Sequence, residues 1–169
     1  MNKIVFDCER MKYSDTGIYH YCLNLGRALQ SEINQSNEQL TLYIPLYAVK
    51  AIKHEFKTIL QHAIHKFLMP DTGKYNIWHS TYQNTNYLPE RNRKIKVVLT
   101  IHDLNFIYDE KKSAAKKEKY LRHLQKNINR SDVIVCISDF CRADVLKYCD
   151  TGCKPVHVIH NGTNTLIQP

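Results

Sequence analysis

Short apolar runs alternate along the chain with longer stretches whose apolar residues recur at helical spacing. The short runs predict strands at 3–7, 40–45, 76–80, 96–101, 132–137 and 156–160. Helical spacing predicts helices that begin at Gly17, span 49–68 and 113–130, and run from Ser138 to about Cys149. Because strands and helices alternate, the pattern predicts an α/β fold, a doubly wound, mainly parallel Rossmann-like sheet of about six strands with helices on both faces.

Length and composition indicate one globular domain. The chain has 169 residues, of which 43% are hydrophobic and 24% charged, as in ordinary folded proteins. We assign residues 1–162 to this domain and expect 163–169 to begin a linker. The first apolar run is short and ends in Asp7, unlike a signal peptide. No run approaches the roughly 20 apolar residues that span a bilayer, so we expect a cytoplasmic protein.

The six cysteines are expected to be free thiols in that compartment. They include no C-x-x-C pair, and Cys149, Cys153 and His157 lack a fourth ligand for a closed zinc site. The sequence therefore predicts no metal cofactor.

Positive charge favours anionic partners, since the net charge is +8. Much of it lies in and just before the helix predicted at 113–130, at Lys111, Lys112, Lys116, Lys117 and Arg122. This segment is either a surface that docks on anionic lipid or a solvated helix face. A nucleic-acid partner is not expected, because no helix-turn-helix, zinc-finger or aromatic-platform signature is present.

Polar residues follow the predicted strands. Ligands bind beyond the carboxyl ends of parallel strands, which meet at one edge of the sheet. The residues that topology brings to this edge are Asp7 and the loop 12–17, Ser80, Thr81, Tyr82, His102, Asp103, Ser138, Asp139, Asn161 and Gly162.

Two of these positions suggest chemistry. Gly17 opens a helix whose free N–H groups suit a phosphate, although the dinucleotide motif G-x-G-x-x-G is missing. Alternatively, Asp15 or Thr16 caps the helix and Gly17 only permits the turn. His102 and Asp103 leave a buried strand together, so the imidazole can donate to a hydroxyl or to developing negative charge while the acid orients it. Alternatively, His102 is hydrogen-bonded beneath a loop and Asp103 caps the next turn.

Five segments carry a family resemblance. They are Thr16-Gly17-Ile18, Trp78-His79-Ser80, V-L-T-I-H-D-L at 98–104, S-D-V-I-V-C-I-S-D-F at 131–140, and V-I-H-N-G at 158–162. In these segments the chain resembles the N-terminal domain of family 4 glycosyltransferases, which have the GT-B architecture of two facing Rossmann-like domains. The H-D-L form is most similar to mannosyltransferase-like members that build bacterial surface polysaccharides.

The resemblance implies a retaining, metal-independent transfer of a sugar from a nucleotide-sugar donor to a saccharide or lipid-linked acceptor, in polysaccharide biosynthesis. It implies that Gly17, beside Thr16, approaches the donor diphosphate, that His102 contacts the transferred sugar, and that Asp103 supports the sugar or the acceptor. Ser80, Tyr82 and Ser138 would line the cleft. Basic and apolar surfaces of such domains often dock on membranes, which would place this protein peripherally on the inner face.

The donor-binding residues of this family lie in a second domain, which would begin just after Gly162 and is absent from this sequence. We therefore expect the chain alone to be inactive. The alternative is a free-standing Rossmann-like module that binds a phosphate-bearing ligand or an anionic membrane without catalysis.

Overall fold

The computed structural model describes residues 1–52 and 56–162 and contains a parallel sheet of seven strands. The strands are β1 (Asn2–Asp7), β2 (Glu38–Ile44), β3 (Lys57–Leu60), β4 (Ile77–Ser80), β5 (Lys96–Ile101), β6 (Val133–Cys136) and β7 (Val156–Val158). Their order is β3-β2-β1-β4-β5-β6-β7, with every neighbouring pair parallel. The predicted α/β class is confirmed, with one strand more than expected.

The α-helices are α1 (Gly17–Glu32), α2 (Val49–Ile52), α3 (Ala114–Arg130) and α4 (Asp139–Tyr148). Short 3-10 turns lie at Glu9–Lys12, Leu46–Ala48, Ala63–Lys66 and Asn105–Ile107. Two helix starts follow from serine caps: Ser113 accepts a hydrogen bond from the main-chain N–H of Lys116, and Ser138 accepts one from that of Cys141.

The prediction of one long helix over 49–68 is wrong. Only α2 is helical there, and β3 and the turn Ala63–Lys66 follow, while residues 53–55 lie outside the described part of the chain. The segment Lys57–Leu60 pairs with β2, where the β-branched Thr58 and Ile59 suit a pleated edge. The apolar residues thus serve an edge strand and a turn instead of one buried helical stripe.

The helices lie on opposite faces of the sheet. Phe6 of β1 and Leu42 of β2 pack with the apolar side of α1. On the other face, Leu99 of β5 and Ile134 of β6 pack in a buried cluster with α3 and α4. Because the chain winds away from β1 in both directions, the sheet has its topological switch between β1 and β4.

Irregular connections cover part of the face that carries α3. Trp78 and Tyr43 lie there in a buried cluster with Tyr87 and Leu88 from the segment between β4 and β5. Arg130 holds this segment in place, because its guanidinium donates to the carbonyls of Pro89, Asn92 and Ile95. The path of residues 89–95 is therefore fixed by α3. Within the described residues, no helix has the length and apolar character to cross a membrane.

Candidate functional site

Thr81 lies at the crevice between β1 and β4, where the strand order of the sheet reverses. Its side chain is buried, and Oγ1 donates to the main-chain oxygen of Asp7 over 2.6 Å. The Sγ of Cys22, on α1, lies 3.4 Å from the same Oγ1. Thr81 therefore joins the ends of β1 and β4 to α1, directly under the edge where ligands bind in such sheets.

His102 is held by the same residue. Its Nε2 lies 2.8 Å from the main-chain oxygen of Thr81, and because a carbonyl only accepts, Nε2 carries the hydrogen. Its main-chain N–H donates to Oε1 of Gln83 over 3.3 Å, and the Tyr21 ring packs edge-on at 4.8 Å. In the described part of the chain no hydrogen bond reaches Nδ1, which is the nitrogen left for a ligand.

The environment of His102 favours the neutral ring. Burial lowers the pKa of His102 below its usual 6.5, although the bond to Thr81 and the charge of Asp103 oppose this shift. At neutral pH, Nδ1 therefore carries a lone pair. The sequence suggested a donor at this position, but the one ring N–H is engaged with Thr81, so the ring presents an acceptor.

Asp103 has a local structural task. Its Oδ1 accepts from the main-chain N–H of Asn105 over 2.9 Å, which caps the turn after β5. Its main-chain oxygen accepts from Nε2 of Gln83 over 2.9 Å. The capping alternative raised by the sequence is thus observed, and within the described residues the second carboxylate oxygen of Asp103 has no hydrogen-bond donor.

Sequence reasoning missed Gln83. The side chain of Gln83 is buried, and its amide oxygen and nitrogen bond the main chain of His102 and Asp103 respectively. The main-chain oxygen of Gln83 accepts a hydrogen bond from Nδ2 of Asn127 on α3. No pattern reveals it, because Gln83 lies in a polar segment without periodicity. A buried glutamine there fixes the direction in which the residues after β5 leave the strand.

The start of α1 has no side-chain cap. Thr16 donates its hydroxyl to the carbonyl of Tyr13 over 2.8 Å, and Asp15 accepts from the hydroxyl of Ser14. The capping alternative for these two residues is therefore not observed. A Cβ atom on Gly17 would meet nothing within 4 Å, so packing does not require glycine there. Among the described residues, the main-chain N–H groups of Gly17 and Ile18 have no hydrogen-bond acceptor, so they could meet a ligand.

A cavity of about 570 Å³ begins at Gly17 and follows α1. Its other walls are His79 and Val135 of the sheet and the residues 159–162 that follow β7. His79 bonds Oγ1 of Thr100 over 2.8 Å, and burial lowers the pKa of His79 to about 4. A larger cavity, of about 660 Å³, lies between 65–73 and 88–92 and contains none of the predicted site residues.

The remaining predicted residues divide. Ser80 is buried, and its hydroxyl lies 3.4 Å from the carbonyl of Tyr82, so it supports the crevice from within. Tyr82 is only partly buried and carries the guanidinium of Arg10 on its ring. Ser138 caps α4 at the end of β6. The structure therefore links His102 to Tyr82 through Thr81, and it gives Ser80 and Ser138 local hydrogen bonds, while their contact with substrate stays a prediction.

Cysteines and acids form no evident metal centre in the described ranges. All six cysteines are free, and no group of three His, Cys, Asp or Glu side chains is placed to hold a metal ion there.

Comparison with models of known protein families gives a match. The family model described as Glycosyltransferase Family 4 matches residues 19–165, a range that includes His102, Asp103, Ser80, Tyr82 and Ser138 and starts after Thr16 and Gly17. No curated protein matches the sequence. Since the matched range covers most of the chain and contains the edge built around His102, the chain belongs to glycosyltransferase family 4.

Proposed function

We propose that this chain is the acceptor-side domain of a retaining, mannosyltransferase-like enzyme of polysaccharide biosynthesis. The enzyme moves a hexose from a nucleotide sugar to a saccharide or lipid-linked acceptor. The observation that carries the proposal is the bond from His102 to the Thr81 carbonyl, because it leaves Nδ1 as an oriented acceptor at the edge of the sheet. The family match supports the reaction class.

In the proposed reaction, the bond from the anomeric carbon to the donor phosphate breaks and a bond to the acceptor oxygen forms on the same face. The acceptor proton leaves with the departing phosphate. His102 accepts a hydrogen bond from a hydroxyl of the transferred sugar and fixes its position, which lowers the entropic part of the barrier. The neutral ring suits this task, since its lone pair is free at neutral pH.

The start of α1 would face the donor diphosphate. The open N–H groups at Gly17 and the positive end of the helix dipole suit an anion. In this proposal the other donor contacts come from a second domain, and the chain alone holds the acceptor.

The test is sugar transfer by this chain joined to the donor-binding domain of a family 4 glycosyltransferase. We expect His102→Ala to lower the rate about 100-fold, which is the usual scale for one positioned polar group. His157→Ala, an exposed histidine on β7, is the matched control and should transfer normally. Unchanged transfer by His102→Ala would refute the role of His102. Transfer by the chain without a donor domain would refute the proposal that a second domain binds the donor.

We also propose a membrane-facing surface that combines basic residues of the expected surface with an apolar turn. On α3 and the segment before it, Lys112 pairs with Asp109, Arg122 with Glu118 and Lys126 with Glu90, so part of the basic charge is neutralised. Lys111, Lys116 and Lys117 form no ion pair within the described residues, so these three are proposed to contact anionic lipid. The turn Ala63–Lys66 and the residues after it add exposed apolar side chains: Ile64 (61% exposed), Phe67 (81%) and Leu68 (59%).

This apolar turn is anchored to the core. Nδ1 of His65 bonds the Tyr43 hydroxyl over 3.0 Å, and Gln61 donates to the Tyr87 hydroxyl over 2.8 Å. We propose that this fixed turn and the lysines of α3 both contact the membrane, because exposed apolar side chains and basic charge each favour peripheral membrane binding. In co-sedimentation with vesicles containing phosphatidylserine, Phe67→Ser should weaken binding several-fold, and neutral vesicles should bind less. Equal binding by Phe67→Ser and the parent chain would refute this surface.

A further inference from the structure

A second polar cluster lies at the same crevice, on the side of β1. Glu9 is buried and forms ion pairs with Nε of Arg10 at 3.3 Å and with Nζ of Lys12 at 3.4 Å. All three residues belong to the turn Glu9–Lys12 that follows β1. A buried carboxylate needs partners, and the carboxylate of Glu9 has two cationic partners, Arg10 and Lys12.

Arg10 is oriented by more than this ion pair. Its guanidinium carbon lies 3.5 Å from the centre of the Tyr82 ring and 5.5 Å from that of Tyr13. The side chain is only 18% exposed. Across the described residues, its Nε meets Glu9 but no hydrogen bond is made by either terminal nitrogen. A stacked guanidinium with a free outer edge presents the fork that binds phosphate or carboxylate through two hydrogen bonds.

The charge balance of the cluster is positive. Arg10 and Lys12 carry two positive charges against the one negative charge of Glu9. Asp7 lies beneath, buried, and accepts from the main-chain N–H of Glu9. Burial and the neighbouring Glu9 raise the pKa of Asp7 well above its usual 3.8, which reduces its negative charge. The three groups that form the ion pairs, Glu9, Arg10 and Lys12, therefore carry a net positive charge that favours an anion.

The cluster adjoins His102 through one peptide unit. Thr81, whose carbonyl holds His102, is followed directly by Tyr82, on which Arg10 stacks. We infer that Arg10, assisted by Lys12, binds an anionic group, phosphate or carboxylate, on the sugar acceptor whose hydroxyl reacts near His102. The inference rests on the proposed function and names the acceptor as an acidic or phosphorylated saccharide.

NMR titration of this chain tests the inference with three probes: a hexose 6-phosphate, a hexuronate and the neutral hexose. At least one anionic probe should shift the Arg10 and Tyr82 signals and bind about tenfold or more tightly than the neutral hexose, because it adds charged hydrogen bonds. The tighter of the two anionic probes identifies phosphate or carboxylate as the preferred group.

Two variants test whether the planar guanidinium of Arg10, and not only its positive charge, is needed for binding. Arg10→Lys keeps a cation for Glu9 but loses the planar fork, and should bind the preferred probe about tenfold more weakly. Arg91→Gln removes an exposed arginine from another connection and should bind normally. Equal affinity for all three probes, shifts that avoid Arg10, or normal binding by Arg10→Lys would overturn the inference.

The two proposals can fail separately. If the anionic probe binds through Arg10 but the joined enzyme transfers no sugar, only the proposed function fails. If the joined enzyme transfers sugar to an anionic acceptor at the same KM with Arg10→Lys, only the acceptor inference fails.

Discussion

Two side chains from opposite sides of the crevice contact the dipeptide Thr81-Tyr82: His102 bonds the carbonyl of Thr81, and Arg10 stacks on the ring of Tyr82. One side chain is neutral and the other is positively charged. On the β5 side, His102 is neutral and spends its single N–H on a main-chain carbonyl. On the β1 side, Arg10 is charged and rests on a tyrosine ring and a buried carboxylate. In the proposed acceptor site, this edge of the sheet offers the ligand the lone pair of His102 and the positive charge of Arg10. The two groups differ because His102 bonds a main-chain carbonyl, whereas Arg10 pairs with the carboxylate of Glu9.

Loss of Gln83 should disrupt the His102 side most. Gln83→Leu leaves the N–H of His102 and the carbonyl of Asp103 without partners. We expect the free energy of unfolding to fall by about 2–3 kcal/mol, measured by urea denaturation. Gln35→Leu, at an exposed glutamine, should change stability by less than about 0.5 kcal/mol. If both variants are equally stable, Gln83 does not fix the strand end.

A smaller effect of opposite sign is expected on the Arg10 side. The pKa of Asp7 is raised in the folded state, so stability falls as the pH rises from 3.8 through that pKa. Asp7→Asn cannot ionise and keeps an oxygen for the N–H of Glu9. Its urea midpoint should exceed that of the parent at pH 7, with the gap closing towards pH 4. A lower midpoint at pH 7 would show that the ionised carboxylate is needed.

The sequence predicts the edge of the sheet well because strand ends are local features. An apolar run that stops at His102 or at Ser80 marks where the chain leaves the core, and parallel topology then brings those ends together. The caps Ser113 and Ser138 are equally local. The surroundings of each predicted residue are not a local feature: Ser80 is buried by the packing of the sheet, and the main-chain oxygen of Asp103 is held by Gln83.

Long-range pairing explains the failures. Ile52, Ile59, Ile64 and Phe67 lie at near-helical spacing, but pairing of β3 with Thr41–Ile44 of β2 diverts the middle of that segment into the sheet. Gln83 and Arg10 gain their roles from partners far along the chain or from ring stacking, and neither leaves a periodic signal. Tertiary contacts override local pattern at these positions.

The measurement that tests the central claim most directly is a pH titration of ¹⁵N-labelled histidine rings by NMR. We predict that at pH 7 the His102 ring is neutral with its hydrogen on Nε2, that Nδ1 is unprotonated, and that the pKa of His102 lies below 6.5. A His102 hydrogen on Nδ1 at pH 7, or a His102 pKa at or above 6.5, would contradict this prediction.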